Sequence, residues 1–399
     1  MPTLSPPPTV KRGTIAVMSM ACGIMVASIY LCQPLLAEMA QNLGVSQRMA
    51  ALTSVFAQIG YTLGILFVVP LGDVMPPKTL IRTLLTLTIL SLIAIAIAPG
   101  IGALLAATLI VSSTSVVAQI LIPLATTLGS PEQRGRIVGS LMTGLILGIL
   151  LSRTISGAVA QYSGSWRTPY LLEAVFVAAL LFGLPSFLPE PPADRPKTGY
   201  IALLKSLPAL IKHKPLLVSM GLSFCSFGAF SVFWATLAFH LATPAFGLGP
   251  AAAGLFGLWG APGALLAPIA GRLSDRWGSS RVNAAALISV ALCFAVAATF
   301  GTRSIAALII AVNLLDFGQQ SGQVANQTRI FGIGDTIRGR LNTIYMVTTF
   351  SGGAICALAA GYVWTYAGWH GVCLLGSALT GTAMLLLMVT EPASRKTPT

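Results

Sequence analysis

Apolar positions follow one another in long uninterrupted runs, and polar positions are confined to the short segments between them. Each run is about 20 residues or longer, the length a helix needs to cross the hydrocarbon core of a membrane. Backbone groups in lipid must pair with one another, so runs of this length predict helices. The predicted spans are 14–38, 50–71, 79–98, 101–128, 137–160, 167–188, 215–242, 250–270, 282–300, 304–330, 341–366 and 368–390.

A longer polar stretch, 189–214, divides the twelve spans into six and six. We therefore expect an all-α membrane protein with an N-terminal six-helix bundle at 1–188 and a C-terminal bundle at 215–399. Between them, 189–214 is predicted to be a cytoplasmic interfacial linker, because its second half has an amphipathic pattern.

Composition supports a membrane protein and excludes most other classes. Hydrophobic residues make up 55% of the chain and charged residues only 8%, against about 25% charged in ordinary soluble domains. The net charge is +13, but the sequence has no basic stretch with interleaved aromatic residues. A nucleic-acid partner is therefore not expected. With no phosphate-binding loop, HExxH or G-x-S-x-G motif, the sequence predicts neither an enzyme nor a bound cofactor.

The positions of the basic residues predict the topology. Nineteen of the 23 Lys and Arg residues lie in the two tails and the even-numbered loops, whereas the odd-numbered loops hold Arg48, Arg167 and Arg303. Because basic residues accumulate on the cytoplasmic side, we expect both termini on the cytoplasmic side of a bacterial inner membrane.

The two halves repeat one another at a nearly constant offset. The tripeptide Arg134–Arg136 recurs at Arg338–Arg340. Further matched pairs are Gln119 with Gln323, Gly148 with Gly352, Trp166 with Trp369 and Asp73 with Asp275. A duplicated unit with an even number of spans gives two bundles related by an axis along the membrane normal. Such bundles enclose a cleft, and a cleft that opens to either side defines a transporter.

The loop Gly271–Arg281 reads GRLSDRWGSSR and resembles the G-x-x-x-D-R-x-G signature of the major facilitator superfamily. The first-half copy, 70–78, keeps Asp73 and Lys78. The segments YLCQPL at 30–35 and QILIPL at 119–124 also resemble one bacterial branch of drug and sugar efflux permeases. The Gly-Pro usual in span 5 of antiporters is replaced by Ser152 and Arg153.

The resemblance implies that charges in the signature loops lock helix ends together on the cytoplasmic side. The residues that would take this gating role are Gly271, Asp275, Arg276, Asp73 and Lys78. It also implies that spans 1, 4, 7 and 10 line a central cavity. Polar and aromatic residues on three of them, Tyr30, Gln33, Gln119 and Trp234, are candidate cavity residues.

Span 10 carries a stripe of polar side chains on one helix face. Asp316 lies thirteen residues from both Arg303 and Arg329, which places it near the bilayer midplane at about 1.5 Å per residue. Asn313, Gln320, Gln323 and Gln327 share its face, and Gln319 and Asn326 widen it. The stripe predicts either a cavity wall or an amide ladder between helices. Asp316 is the candidate for solute binding or proton coupling.

Arg153 in span 5 and Glu173 in span 6 occupy matching depths in adjacent helices. They are therefore predicted to form an intramembrane ion pair, with an outer gate or an anion contact as the alternative for Arg153.

The sequence favours a monomeric secondary transporter that exports a small organic solute in exchange for protons, with the proton gradient as its energy source. A facilitator or proton symporter of the same fold is the first alternative. A membrane sensor or assembly partner that transports nothing is the alternative of another class.

Overall fold

A computed structural model describes residues 12–126, 133–188, 199–334 and 337–390. In these ranges all regular secondary structure is helical. Ten helices are long and apolar enough to cross a membrane: Gly13–Asn42, Gln47–Val74, Pro77–Ala96, Ile101–Ala125, Gly135–Ser163, Thr168–Phe187, Lys214–Leu241, Ser279–Thr299, Ile305–Phe331 and Arg338–Thr390. In chain order they form spans 1–7, 9 and 10, and the last contains spans 11 and 12.

Span 8 is made of three short helices, Pro250–Trp259, Ala261–Leu265 and Ala267–Trp277, so no single helix of span length occurs there. Pro250, Pro262 and Pro268 lie at or near the starts of these pieces. Proline removes a backbone donor and favours the first turn of a helix, which accounts for the interruptions.

The helix Arg338–Thr390 reverses direction at Gly368, whose φ of 57° and ψ of −150° are not helical. Thr349 contacts Ser223 of span 7 through its hydroxyl. A Cβ atom at Gly221, on the same part of span 7, would contact Leu386. Because 349 and 386 lie beside the same turns of span 7, the chain must fold back between them. Twelve crossings in two six-helix bundles, as predicted, are confirmed.

Small residues let helices pack closely in equivalent places of both bundles. In the N-terminal bundle, Gly148 of span 5 lies against the backbone of Gly23 in span 1. In the C-terminal bundle, the matched Gly352 of span 11 lies against the backbone of Phe224 in span 7. The sequence repeat at offset 204 is thus also a repeat of helix contacts.

The bundles join one another along two pairs of helices, spans 5 with 8 and spans 2 with 11. The face that carries the loops after the odd-numbered spans is called here the opposite face. The joined parts of these helices lie toward it. The face at which the first helix begins and the last helix ends is called the terminal face.

Side chains close the opposite face at both helix pairs. Thr154 of span 5 donates to the carbonyl of Gly254 in span 8 at 3.1 Å. At the other pair, the Arg48 guanidinium lies 3.5 Å from the centroid of the Tyr362 ring. The Trp364 indole donates to Gln47 at 2.6 Å beside it.

Toward the terminal face, spans 5 and 8 pack within their own bundles instead. Gly144 of span 5 lies against Ser19 of span 1, whereas Gly263 of span 8 lies against the backbone of Asn313 in span 10. Spans 5 and 8 therefore meet near the opposite face and diverge toward the terminal face.

The described part of the predicted linker contains the helix Tyr200–Ser206 and the 3-10 helix Pro208–Lys212. Tyr200 donates to the carbonyl of Phe67 in span 2 at 2.8 Å. Ser206 accepts from Arg340 of span 11 at 3.2 Å. This part of the chain thus touches both bundles at the terminal face, whereas 189–198 lies outside the described residues.

Candidate substrate and coupling site

A buried charged centre lies where the two bundles meet. Arg153 comes ten residues before the end of span 5 and Asp316 eleven residues after the start of span 10. At 1.5 Å per residue both lie about 15 Å from the opposite face. Arg153 is 1% exposed and Asp316 is 4% exposed. An arginine of one bundle and an aspartate of the other are therefore held at the same depth, away from water.

Arg153 is held by residues of both bundles. Its Nε atom donates to the Gln33 side-chain oxygen of span 1 at 2.6 Å. Its guanidinium carbon lies 3.8 Å from the centroid of the Trp234 ring in span 7 and 4.9 Å from that of Tyr30 in span 1. The face of an aromatic ring attracts a cation. These contacts therefore stabilise the buried guanidinium without neutralising it.

Span 8 makes room for both charged side chains. A Cβ atom at Gly257 would lie 3.0 Å from Cβ of Arg153, and one at Gly260 would press on the carboxylate of Asp316. The first break of span 8 follows Trp259, so the helix is interrupted beside the carboxylate. A larger residue at Gly257 would push span 8 away from span 5, and one at Gly260 would displace the Asp316 carboxylate.

Three polar atoms of this centre have no hydrogen-bond partner: Nη2 of Arg153, Oδ2 of Asp316 and Nε1 of Trp234. Arg153 and Asp316 act on one another electrostatically. The indole N–H of Trp234 also lies near the carboxylate, although it makes no hydrogen bond. Buried polar groups in folded proteins are nearly always paired. Three unpaired groups in one place therefore favour a site for a ligand that binds reversibly.

Residues of the polar stripe of span 10 contact several neighbouring helices. Asn313 donates to the carbonyl of Trp259 at 2.7 Å and accepts from the backbone of Gly263 at 3.2 Å, which satisfies backbone groups freed where span 8 breaks. Gln319 accepts from Ser226 of span 7 at 2.8 Å. These contacts have the character of an amide ladder, whereas Asp316 faces Arg153 and the other bundle.

The remaining members of the stripe lie toward the terminal face. Asn326 accepts from Asn283 of span 9 at 3.2 Å, and Gln327 donates to Asn342 of span 11 at 3.4 Å. Gln320 and Gln323 are half-buried, and Gln323 lines a small polar cavity inside the C-terminal bundle.

The candidate cavity residue of span 4, Gln119, lies in a different place from the centre. It donates to the Tyr61 hydroxyl of span 2 at 3.2 Å. Tyr61 in turn packs edge-on against Phe350 of span 11, with ring centroids 4.6 Å apart. Gln119 therefore supports an aromatic contact between the bundles and does not touch Arg153 or Asp316.

Arg153 and Glu173 do not form the predicted ion pair. Glu173 accepts from Ser28 of span 1 at 3.0 Å, whereas Arg153 donates to Gln33 on the same helix. No hydrogen bond or ion pair joins the two residues. The prediction was wrong because span 1 provides the partner for each, and Arg153 faces the C-terminal bundle instead of span 6.

The predicted gating residues lie at the terminal face. Asp275 and Arg276 are exposed near the end of span 8, Asp73 is exposed at the end of span 2, and Lys78 is half-buried at the start of span 3. Gly271 is half-buried, and a Cβ atom there would lie 3.5 Å from Val324 of span 10. Across the described part of the chain, neither aspartate side chain has a hydrogen bond or ion pair with another residue. In this state the two aspartates therefore do not lock helix ends together.

A second small cavity lies next to the centre and between the bundles. Tyr30, Gln33 and Phe230 line both the cavity and the surroundings of Arg153. Its other lining residues are Ile29, Ser54, Gln58, Phe227, Ser231 and Phe350.

The sequence analysis predicted only Tyr30 and Gln33 in this cavity, but two of the residues that it missed carry a sequence signal. Phe230 lies four residues before Trp234, and such a spacing places both on one helix face. Gln58 is a lone amide in the apolar run of span 2, and polar groups in a span usually face the protein interior. Either signal could have added the residue to the candidate site.

Two six-span bundles with a buried charged centre between them define an integral membrane protein of the secondary-transporter type. The profile of the Major Facilitator Superfamily matches residues 17–241 and 216–399. The chain belongs to this superfamily, as its signature loop indicated, and membrane transport is its function.

Relatives that match most of this chain are transporters by name. The transporter YgaY of Escherichia coli O157:H7 is 38% identical over 373 residues, covering 93% of this chain and 94% of YgaY. The transporter SCO4007 of Streptomyces coelicolor is 33% identical over 371 residues, covering 91% of this chain and 84% of its own.

Solved structures share the fold at low sequence identity. A mutant of the nucleoside transporter NupG superposes with a TM-score of 0.71 at 15% identity, over 94% of this chain and 98% of NupG. The human organic anion transporter MFSD10 gives a TM-score of 0.70 at 17% identity, over 97% of this chain and 100% of its own.

Proposed function

We propose that this protein exports a small organic solute from the bacterial cytoplasm in exchange for protons, and that Asp316 is the group where proton and solute compete. The observation that carries the proposal is the position of Asp316: a buried carboxylate, at mid-depth, at the interface of the two bundles, with Oδ2 unpaired. Ionisable groups in such places usually mark ion and substrate pathways.

The charge of Asp316 gives the proton its effect. Deprotonated Asp316 attracts Arg153 across the interface, which holds the two bundles together near the centre. Protonation removes that attraction and lets the bundles move against one another. A solute that occupies the carboxylate has the same effect, so either ligand can permit the rocking movement, but both cannot bind at once.

The two faces supply the alternate states. On the opposite face, Arg48 with Tyr362 and Gln47 with Trp364 close the bundles. In the second state these contacts would part, and the terminal-face charges, Asp275 with Arg276 and Asp73 with Lys78, would lock helix ends together. The terminal face is the cytoplasmic one in this proposal, since it carries most of the basic residues. The described state therefore faces the cytoplasm.

Everted membrane vesicles test the proposal directly. An imposed pH gradient is followed by a fluorescent dye while drugs, sugars and amino-acid derivatives are added singly. We expect at least one solute to dissipate the gradient with the wild-type protein and not with Asp316→Asn. Glu173→Gln is the matched control, because it also removes a buried carboxylate but one that hydrogen-bonds only Ser28.

Two results would contradict the proposal. Gradient dissipation that survives intact in Asp316→Asn would show that this carboxylate does not couple protons to transport. Solute flux that proceeds without any response to the gradient would indicate a facilitator.

A further inference from the structure

The unpaired atoms of the centre define the chemistry of a ligand. Nη2 of Arg153 and Nε1 of Trp234 are hydrogen-bond donors, and Oδ2 of Asp316 is an acceptor. Arg153, Asp316 and Trp234 are all at least nine-tenths buried. Water or ligand must satisfy such groups for most of the time, since buried polar atoms without partners are strongly disfavoured.

The centre holds one positive and one negative side chain, so its own charges cancel. A ligand with a single charge would pair with one side chain and be repelled by the other. A ligand with a carboxylate and an ammonium group can pair with both. Arginine suits the carboxylate, because its planar fork matches two carboxylate oxygens, and the ammonium group suits Asp316.

The adjoining cavity defines the rest of the ligand. Its wall is largely aromatic, with Tyr30, Phe227, Phe230 and Phe350, and it shares Tyr30 and Phe230 with the surroundings of Arg153. Polar groups from Ser54, Gln58 and Ser231 interrupt the wall. The cavity is too small to hold a solute in this state, so a solute would enter only when the two bundles move apart. A lining of this composition then suits an apolar or aromatic body with few polar groups.

We propose that the transported solute is a zwitterion with an apolar body, whose carboxylate is bound by Arg153 and whose ammonium group is bound by Asp316. The inference rests on the proposed function, because it assigns a substrate class to the same centre. It also explains the competition between proton and solute, since a protonated Asp316 no longer attracts an ammonium group.

Binding to the purified protein in nanodiscs at pH 7.5 tests the inference without any gradient. Four probes share one phenyl ring and differ chiefly in charge: phenylalanine, the cation phenethylamine, the anion N-acetylphenylalanine and the neutral N-acetylphenylalaninamide. Their affinities are measured by the thermal shift of the wild-type protein. We expect phenylalanine, the zwitterion, to bind on the order of tenfold more tightly than each singly charged probe, the loss of one charge-assisted contact.

Two variants should change the preference in opposite directions. Arg153→Gln should favour the cation phenethylamine over phenylalanine, and Asp316→Asn should favour the anion N-acetylphenylalanine. Glu173→Gln should keep the wild-type order, which controls for general effects of removing a buried charge. The wild-type series decides the matter even where a variant fails to fold.

Equal affinities for the four probes, tighter binding of a singly charged probe, or no binding of any probe would overturn the inference. The two proposals fail separately. Zwitterion binding without dissipation of a pH gradient in vesicles would overturn proton exchange alone. Gradient dissipation by other solutes, with no preference among the four probes, would overturn the substrate class alone.

Discussion

At the scale of single residues, Arg153 shows how a buried charge is held without a direct counter-ion. The Gln33 side chain accepts from Nε, and the Trp234 and Tyr30 rings lie against the guanidinium. A direct ion pair would have neutralised the charge permanently. The arrangement found here keeps Nη2 available to a ligand.

Removing the Gln33 amide should destabilise the protein. In Gln33→Leu the buried Nε of Arg153 loses its hydrogen bond, and a bond to a charged group is worth about 1.5–3 kcal/mol. We expect a lower midpoint of thermal unfolding in detergent. Gln41→Leu is the matched control on the same span, since Gln41 is exposed. An equal effect of both substitutions would show that the contact contributes nothing specific.

The residue-scale site was only partly predictable. The depth of Asp316 follows from counting residues, because the rise of a helix is constant. The partner of Arg153 depends on the rotation of span 5 about its own axis, which packing sets. Matching depth alone therefore paired Arg153 with Glu173 incorrectly.

At the scale of helices, the glycines of span 8 contact two neighbouring helices, first span 5 and then span 10. Gly254 and Gly257 lie against Leu150 and Arg153 of span 5, whereas Gly260 and Gly263 lie against span 10. The three-residue spacing rotates the glycine row around the helix, so one span approaches both bundles. This row is what brings Arg153 and Asp316 together.

A larger residue at Gly254 should open the opposite face. The Cβ atom would meet the carbonyl of Arg153, so Gly254→Val should separate spans 5 and 8. We expect faster labelling of Thr154→Cys by a membrane-impermeant maleimide from that face in the Gly254→Val background. Gly381→Val, where a Cβ atom meets nothing within 4 Å, is the control. Unchanged labelling would mean that the contact does not hold the face closed.

The turn between spans 11 and 12 should depend on Gly368. Its φ of 57° and ψ of −150° lie in a region that is essentially restricted to glycine, and another residue there costs about 1–3 kcal/mol. We expect Gly368→Ala to lower the thermal unfolding midpoint. Gly381→Ala, in the interior of span 12, should leave it unchanged or raise it, since alanine favours helix. A higher unfolding midpoint in both variants would show that the backbone at Gly368 is not strained.

The helices themselves were predictable because the length of each apolar run decides a crossing, and hydrogen bonding in lipid leaves no alternative to a helix. The breaks of span 8 were not predicted, since glycine and proline are tolerated within spans. The sequence also did not determine which neighbouring helices the polar stripe of span 10 contacts. Asn313 serves the break in span 8, a role that depends on tertiary packing.

At the scale of the whole molecule, spans 5 and 8 meet near the opposite face and diverge toward the terminal face, with the charged centre at mid-depth. The opposite-face contacts at Gln47 and Arg48 involve only a few side chains. Movement of one bundle against the other can break them without disturbing either bundle's own core.

Fixing that face should stop transport. A Cβ atom at Gly361 of span 11 would lie 3.6 Å from Cβ of Ala51 in span 2, a distance that suits a disulfide. The double variant Ala51→Cys with Gly361→Cys should therefore form a disulfide on oxidation and hold the opposite face closed. We expect solute flux to fall at least tenfold on oxidation and to return with reductant. The six native cysteines are all buried, and each single variant serves as a control. Full flux in the cross-linked protein would rule out alternating access at this face.

Proton coupling depends most on Asp316, and proteoliposomes with and without a pH gradient test the role of this residue most directly. With Asp316→Asn at saturating solute, we expect solute exchange to continue when no gradient is applied and gradient-driven accumulation to be lost, while Glu173→Gln retains both. Gradient-driven accumulation by Asp316→Asn at the wild-type level would show that Asp316 does not couple protons to transport.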